Sequence, residues 1–365
     1  MINLQFIPSR RIALYMVRLF LTRSLAVLVA LVLVLMTLDL LGESGKILAV
    51  PGNGEAELWR YVSLRLPLLI ARFLPFSVLL GTLIAFVGLN QHSEIVAMKA
   101  AGISAHQLLA PLIVASTFIA VGAFAFNETV VVKAARQVTA WSDNDYKPVP
   151  PETGIVSNVW FLDGEDLVRA GHAGGYGSDF HAENLAIYDR AGGKLQRVIQ
   201  ARHAVPQAGA WRLEDVRIYD STMNVVRRVP EMTALQGVEP ERLRLARVDP
   251  DQTDYFTLKE LIAQMDEAGR PSAEARAGLA HKISGPLSTL LMPLLAALAA
   301  FGLARSGQVL LRATIGMALG FAYFVADNFS LAMGNVGVYP PLLAAWAPFF
   351  LFLLIGETVL IQSEE

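Results

Sequence analysis

The sequence contains no cysteine. That excludes a disulfide framework, a thiolate metal site and a cysteine nucleophile, although it leaves the redox compartment open. Charge is scarce too. Asp, Glu, Lys and Arg make up 17% of the 365 residues, against about 25% in an ordinary globular chain. The formal charge of −2 lacks the basic excess of a nucleic-acid binder, so nucleic acid is not an expected partner. What fills the chain is apolar: 54% of residues are hydrophobic and mean hydropathy is +0.46. That balance points to a membrane protein.

The apolar residues gather into runs at 25–41, 66–89, 108–126, 283–303, 311–333 and 342–361. Each is long enough to cross the roughly 30 Å hydrocarbon core as a helix. Pro286 and Pro293 lie in the fourth run; membrane helices tolerate proline because neighbours satisfy the freed carbonyls. The first run is longer than a signal-peptide core and no small-residue cleavage site follows it, so it is expected to be retained as a span. Arg10, Arg11, Arg18 and Arg23 precede or open it, and Lys99, Arg305 and Arg312 fall on the same side by alternation. Lys46, Arg60 and Arg65, assigned to the first external loop, run against this bias. The balance predicts cytoplasmic termini and an external insert.

That insert carries most of the acids and bases. Turn residues punctuate it, and Gly192–Gly193 between two strand-like segments is a hairpin signature. Trp211, Leu213, Val216 and Ile218 sit among charged neighbours, and the change of residue type after Asp215 predicts a bulge. Several short, closely spaced strands suggest a sandwich or jelly roll. The segment 257–269 has Leu258, Leu261, Ile262 and Met265 at helical spacing. The expected fold is therefore an α-helical membrane protein of six transmembrane helices with an inserted all-β, jelly-roll-like periplasmic domain. Its expected divisions are 1–127 for spans one to three, 128–277 for the β-domain and 278–365 for spans four to six.

Motifs for covalent chemistry are missing. LGESGK at 41–46 has the wrong spacing for a phosphate-cradling loop, and no HExxH or G-x-S-x-G occurs. His172, His181 and His203 fit no standard zinc spacing. The acid pairs Glu165/Asp166 and Glu214/Asp215 are expected to be solvated strand or turn residues. Neither catalytic residues nor a bound metal or cofactor are expected in this chain.

Two features carry function. Between spans two and three, within 91–106, Ser93 is expected to cap a short helix, Glu94 to favour its positive end and Gly102 to terminate it. Ile95, Val96, Met98 and Ala101 would give that helix an apolar surface broken by Lys99. The bland reading is a connector; the functional one is a docking helix for a groove on a cytosolic partner. The second feature is charge inside or beside spans, costly in lipid and so a functional hypothesis. Arg72 in span two, Asp327 in span five, Asp39 closing span one, and Lys133 and Arg136 just beyond span three are candidate lipid-cavity residues. The bland alternatives are an Arg72–Asp327 pair and a solvated juxtamembrane helix. Glu357 lies near the end of span six, and Gly316 and Gly320 form a weakly specific GxxxG.

The stretch LLGTLIAFVGLNQHSEIVAMKAAGIS, from Leu79 to Ser104, closely resembles the hallmark segment of the lipopolysaccharide export permeases, the LptF/LptG (YjgP/YjgQ) family. FAYFVADNFSLAMGNVGVYPPLLAAWAP, from Phe321 to Pro348, resembles the fifth and sixth spans of the LptG branch in particular. One departure is VLMTLDLLGES at the external end of span one, which has no base before Lys46 where the branch often places one. The resemblance implies an inner-membrane permease subunit that does not itself hydrolyse ATP. Its implied partners are an LptF-type sister permease, a cytosolic LptB ATPase dimer that uses ATP and Mg, LptC and the periplasmic bridge. The implied cargo is lipopolysaccharide drawn from membrane lipid. It also implies that Ser93, Glu94, Ile95, Met98, Lys99 and Gly102 form the ATPase coupling segment. A secondary transporter would show internal repeats, and none is evident. A membrane-anchored sensor or lipid-binding protein would not require a coupling helix.

Overall fold

A computed structural model describes residues 9–148, 156–174, 180–207, 209–221, 225–239, 248–267, 270–298 and 309–362. Arg305 of the topology argument lies outside them. The chain divides into two compact units, Met1–Arg136 with Pro250–Glu365, and Gln137–Asp249. The second is shorter than the 128–277 expected from composition, because the residues from Pro250 onward belong to the helical unit.

The helical unit begins with α1 (Arg10–Leu48) and α2 (Glu55–Gln91), followed by the short α3 (Glu94–Ala100) and α4 (Ala105–Phe126). A π-helical turn at Asn127–Val131 joins α4 to α5 (Val132–Asp143). After the strands come α6 (Tyr255–Glu267), α7 (Ala273–Ala297), α8 (Val309–Asn335) and α9 (Pro341–Gln362). Among the described residues five helices are long and apolar enough to cross a membrane: Arg10–Leu48, Glu55–Gln91, Ala105–Asp143, Thr314–Asn335 and Pro341–Gln362. The fourth apolar run starts within α7, whose first half carries His281 and Lys282, and it continues beyond the described residues.

Lipid tails are as apolar as leucine, so helices in a membrane associate through close packing rather than through the hydrophobic effect. The contacts fit that rule. A Cβ on Gly81 of α2 would collide with the backbone of Ser24 in α1, and one on Gly320 of α8 would collide with Leu79 of α2. The core around these crossings contains Phe20, Leu79, Phe86, Leu108, Leu112 and Leu295. By contrast Leu25, Val29, Leu33, Leu38 and Leu41 along α1 are all exposed. They leave much of the surface of α1 apolar and open to lipid or another membrane helix.

Among the described residues the second unit contains six antiparallel strands: β1 (Val156–Asp163), β2 (Asp166–Gly174), β3 (His181–Ala191), β4 (Lys194–Gln207), β5 (Ala210–Asp220) and β6 (Val225–Ala234). They form one sheet in strict chain order. This corrects the jelly-roll expectation: a jelly roll needs long crossover connections, whereas the segments joining these strands are short. The β3–β4 hairpin turns at Gly192 and Gly193, both with positive φ, as a tight primed turn requires. Glu165 and Asp166, at the β1–β2 turn, hold that hairpin: the backbone N–H of Gly192 donates to Glu165 Oε2 at 2.8 Å, and that of Arg190 to Asp166 Oδ1 at 2.9 Å.

A transverse crease crosses the sheet. Residues on one face of a strand recur every second position, yet the positions that belong to the sheet's apolar core jump by three in four neighbouring strands. In β2 they run Val168, Ala170, then Ala173; in β3 Ala182, then Leu185 and Ile187. In β4 they run Ile199, Ala201, then Ala204; in β5 Trp211, Leu213, then Val216. The jumps line up, because His172 pairs with Glu183, Glu183 with His203 and His203 with Glu214. Asn184 and Asp215 accommodate the change with φ of 50° and 51°, in the left-handed region that Asn and Asp tolerate best after Gly. The bulge expected at Asp215 takes this form instead: Glu214↔Glu231 and Val216↔Val229 keep register on either side of it. True register shifts lie at Asp189/Arg190 and Ile218/Tyr219.

Candidate functional site

The segment between α2 and α4 is an elbow holding one seven-residue helix, α3. Ser93 precedes it but does not cap it as expected. Its φ of 57° is left-handed, and its side chain makes no capping bond. Side-chain capping occurs one element later, where the backbone N–H of Gln107 donates to Ser104 Oγ at 3.2 Å and Gln107 Oε1 accepts from the Ser104 N–H at 3.1 Å. Gly102 does end α3. With φ of 84° it donates its N–H to Lys99 O at 2.9 Å, while Ile103 donates to Met98 O at 3.1 Å. This pair of bonds is a Schellman closure.

α3 has an anchored side and an open side. Ile95 is only 3% exposed and packs in the core that holds Met16 and Phe20 of α1, with Met98 and Ile103 partly buried against it. Ile95 therefore anchors the helix and does not belong to the presented surface read from sequence. The open side is Val96, Ala97, Lys99 and Ala100. Glu94 opens the helix at its edge, and Tyr15 of α1 donates its hydroxyl proton to this carboxylate, 3.0 Å from Oε2 and 3.3 Å from Oε1. One phenol hydrogen cannot satisfy a carboxylate with about four lone-pair sites, so Glu94 retains acceptor capacity outward. The Tyr15 contact was not legible in the sequence.

The charges near spans find partners that depth alone did not predict. Asp39 accepts from Arg65 Nε at 3.0 Å, Arg65 Nη2 at 3.1 Å and the Tyr61 hydroxyl at 2.8 Å. Asp39 and Arg65 thus tie α1 to α2, and Arg65 lies inside α2 rather than on a loop. Asp327 does not meet Arg72. Its Oδ2 lies 3.0 Å from His281 Nε2, linking α8 to α7. Arg72 is exposed on α2 and has no ion pair among the described residues. Lys133 is exposed, and Arg136 donates to the carbonyl of Gln252 at 3.0 and 3.3 Å. Glu357 lies 3.4 Å from His106, both about two-fifths exposed. Among the described residues none of the five expected around one lipid cavity forms an ion pair with another of them.

A buried ion pair was missed. Glu128, in the π-helical turn, lies 3.0 Å from Lys282 of α7, with side chains 14% and 6% exposed. Its other oxygen accepts the backbone N–H of Tyr255, at the start of α6. The π turn thus connects to two helices through one carboxylate; such turns are frequent at functional sites. The available clue was a Glu two residues after one apolar run and a Lys directly before another.

Outside the spans, Asp254 caps α6 by accepting the Thr257 N–H at 3.0 Å. Partial burial opposes its charge, but the Thr257 bonds and the nearby Arg136 outweigh it and leave the carboxyl below its usual range. Asp266 is also lowered, first by the Ser272 hydroxyl and also by Arg276.

LGESGK falls inside α1, so it forms no phosphate-binding loop. Among the described residues no group of three His, Cys, Asp or Glu side chains is arranged to hold a metal. What the arrangement offers is mechanical: an exposed elbow whose buried side is fixed to α1 and to the core.

The sequence model for "Lipopolysaccharide export system permease LptF/LptG" matches residues 14–362. The protein named lipopolysaccharide export system permease protein LptG in Escherichia coli K12 is 25% identical over 316 residues, covering 83% of this chain and 85% of that one. The Haemophilus influenzae protein of the same name is 26% identical over 321 residues, covering 83% and 86%.

Proposed function

Because the chain belongs to the LptF/LptG family of lipopolysaccharide export permeases, we propose that it is the LptG-type subunit of an ATP-driven exporter whose energy enters at α3. In this reading six spans cross the inner membrane, both termini are cytoplasmic and the six-stranded sheet is periplasmic. A cytosolic ATPase dimer of the LptB kind docks on the elbow and uses ATP and Mg. An LptF-type permease pairs with the exposed apolar surface of α1, and the sheet passes cargo to LptC and the bridge. The observation that carries the proposal is the two-sided elbow: Ile95 fixed in the core, Val96 and Lys99 outward, and Glu94 at the edge with spare acceptor capacity. Lifting an acyl chain from the bilayer exposes methylenes at about 0.8 kcal/mol each, which explains why such a chain would need an outside energy source. Asp39, Arg72, Lys133, Arg136 and Asp327 are kept as candidate contacts along the cargo path; its wall would be completed by the sister permease.

The test is affinity purification in mild detergent with identification of bound proteins and lipids. A cytosolic ATPase, a sister permease and lipopolysaccharide are expected. If the sister retained is itself LptG-like, this chain has the LptF role. Reporter fusions test orientation: one near Gly192 is expected to be active only if exported, and one at the C-terminal end only if cytoplasmic. The opposite pattern would overturn the reading.

A further inference from the structure

Among the described residues three ion pairs join segments of the helical unit largely out of solvent, and one differs from the others in its cation. Asp39 meets Arg65 and Glu128 meets Lys282, whose charges persist across the physiological range. Asp327 of α8 meets His281 of α7 at 3.0 Å, and imidazole is the cation that gives up its proton near neutral pH. His106–Glu357 also contains an imidazole, but both partners are about two-fifths exposed and water screens them. We propose that the His281–Asp327 pair is a proton-operated latch: one bound proton holds α7 against α8, and its loss lets the two helices separate.

The geometry around the pair carries the proposal. Asp327 is 15% exposed and His281 29%. With the proton bound, the pair is neutral overall. Without it, a carboxylate is left in a largely enclosed position, and an enclosed charge stripped of its partner is strongly unfavourable. A polar seam extends from the pair through an otherwise apolar helix contact. His281, Gly285 and Ser288 recur at helical spacing on α7, and Tyr323 and Asp327 lie one turn apart on α8. Gly285 leaves room for the imidazole, since a Cβ there would lie 3.3 Å from His281 Cε1. The buried Tyr323 hydroxyl meets that of Ser288, which donates to the Gly285 carbonyl at 2.6 Å. Pro286 follows directly; proline removes one helical hydrogen bond and marks a place where helices bend. Neighbouring residues thus tie α7 in two ways: Lys282 permanently to the π turn, His281 to α8 only while it holds a proton. Asp251, in the short turn before α6, adds a second negative charge that acts on His281. The other elements packed on α7 meet it through apolar side chains, Leu83 of α2, Leu112 of α4, Leu258 of α6 and Phe352 of α9 among them.

The latch depends neither on ATPase docking nor on the cargo; only the side from which the proton arrives, the external one, follows from the proposed orientation. The test uses the full chain in uncharged detergent at about pH 6 and about pH 9, on either side of the ordinary imidazole value. Stability supplied by the bound proton is complete at the lower pH and is lost as pH rises. The half-life of the monodisperse species at fixed temperature is expected to be about tenfold shorter at the higher pH. The chain has no cysteine, so Glu274→Cys and Val336→Cys place spin labels only at the adjoining ends of α7 and α8, where a Cβ on Gly337 would lie 3.8 Å from that of Ala273. Those labels are expected to move apart at the higher pH. His281→Lys keeps its cation at both pH values and is expected to abolish both changes, as is Asp327→Asn, which removes the charge to be neutralised. Where one of these variants does not fold, the other decides. His106→Gln is expected to keep both changes. Either wild-type readout ignoring pH, a pH dependence that survives His281→Lys or Asp327→Asn, or one that disappears with His106→Gln overturns the proposal.

Discussion

Replacing Lys282 with Met tests whether the buried pair with Glu128 organises the helical unit. The Nζ–Oε1 distance is 3.0 Å and both side chains are nearly enclosed, so solvent cannot rescue a carboxylate left behind. Breaking one side of such a pair costs about 3–5 kcal/mol. A Glu128→Gln/Lys282→Met double variant removes both charges yet keeps an oxygen for the Tyr255 N–H. Replacing a paired charge set with neutral groups of similar volume is often near-neutral, so most of the loss should return. Glu128→Leu/Lys282→Met keeps the neutrality but orphans the Tyr255 amide, a penalty of about 1–3 kcal/mol. The expected order of stability is wild type, then Gln/Met, then Leu/Met, then Lys282→Met alone. Membrane proteins often unfold irreversibly, so the assay is the half-life of the monodisperse species at fixed temperature in detergent, which reads the unfolding barrier. A Lys282→Met protein as durable as wild type, or a Gln/Met protein no better than the single variant, would refute the reasoning.

Tyr15→Phe removes the hydroxyl that reaches Glu94 and leaves the apolar anchoring of Ile95 intact. ATPase retention on purification is expected to persist while ATP-coupled export falls, and Tyr15→Phe should add nothing in a Glu94→Ala background. Additive losses there would show that Tyr15 acts elsewhere. Asp254→Ala is expected to cost about 0.5–2 kcal/mol at neutral pH through loss of the α6 cap, read as faster amide exchange at Thr257. Because the folded carboxyl lies below its ordinary value of 3.8, the cap's contribution is complete above that value and is lost as pH falls through the lower folded value. Protection at Thr257 that weakens as pH rises would contradict that sign.

The long apolar runs were legible because a membrane span needs little more than length and composition, and all but the fourth lie in helices that meet that standard among the described residues. The Gly192–Gly193 turn was legible because only certain residues take positive φ. Ion-pair partners were not legible. Sequence gives a charge its depth along a span but not its azimuth, so Asp327 was set against Arg72, whereas its partner is His281. The same limit hid Tyr15 from Glu94, which lies 79 positions away in sequence. Ser93 misled because Ser before an acidic residue has the composition of a cap, while the tight elbow imposes a left-handed backbone there. The jelly-roll expectation counted strands without weighing the connections between them, and these are too short for crossovers. The crease was half visible at Asp215; its alignment across four strands emerges only when the pairing register is known.

The central claim, that energy enters through α3, is tested most directly by Glu94→Lys. Reversal replaces an acceptor with a cation at the helix's positive end, a local cost of about 0.3–1 kcal/mol that should not unfold the protein. Reconstituted with the ATPase and sister permease proposed for it in proteoliposomes, the variant is predicted to insert and pair normally. It is predicted to lose ATPase binding and ATP-dependent lipopolysaccharide release, with Glu94→Gln intermediate. A Glu94→Lys protein that binds the ATPase and releases lipopolysaccharide at the wild-type rate would contradict the account and reduce α3 to a connector.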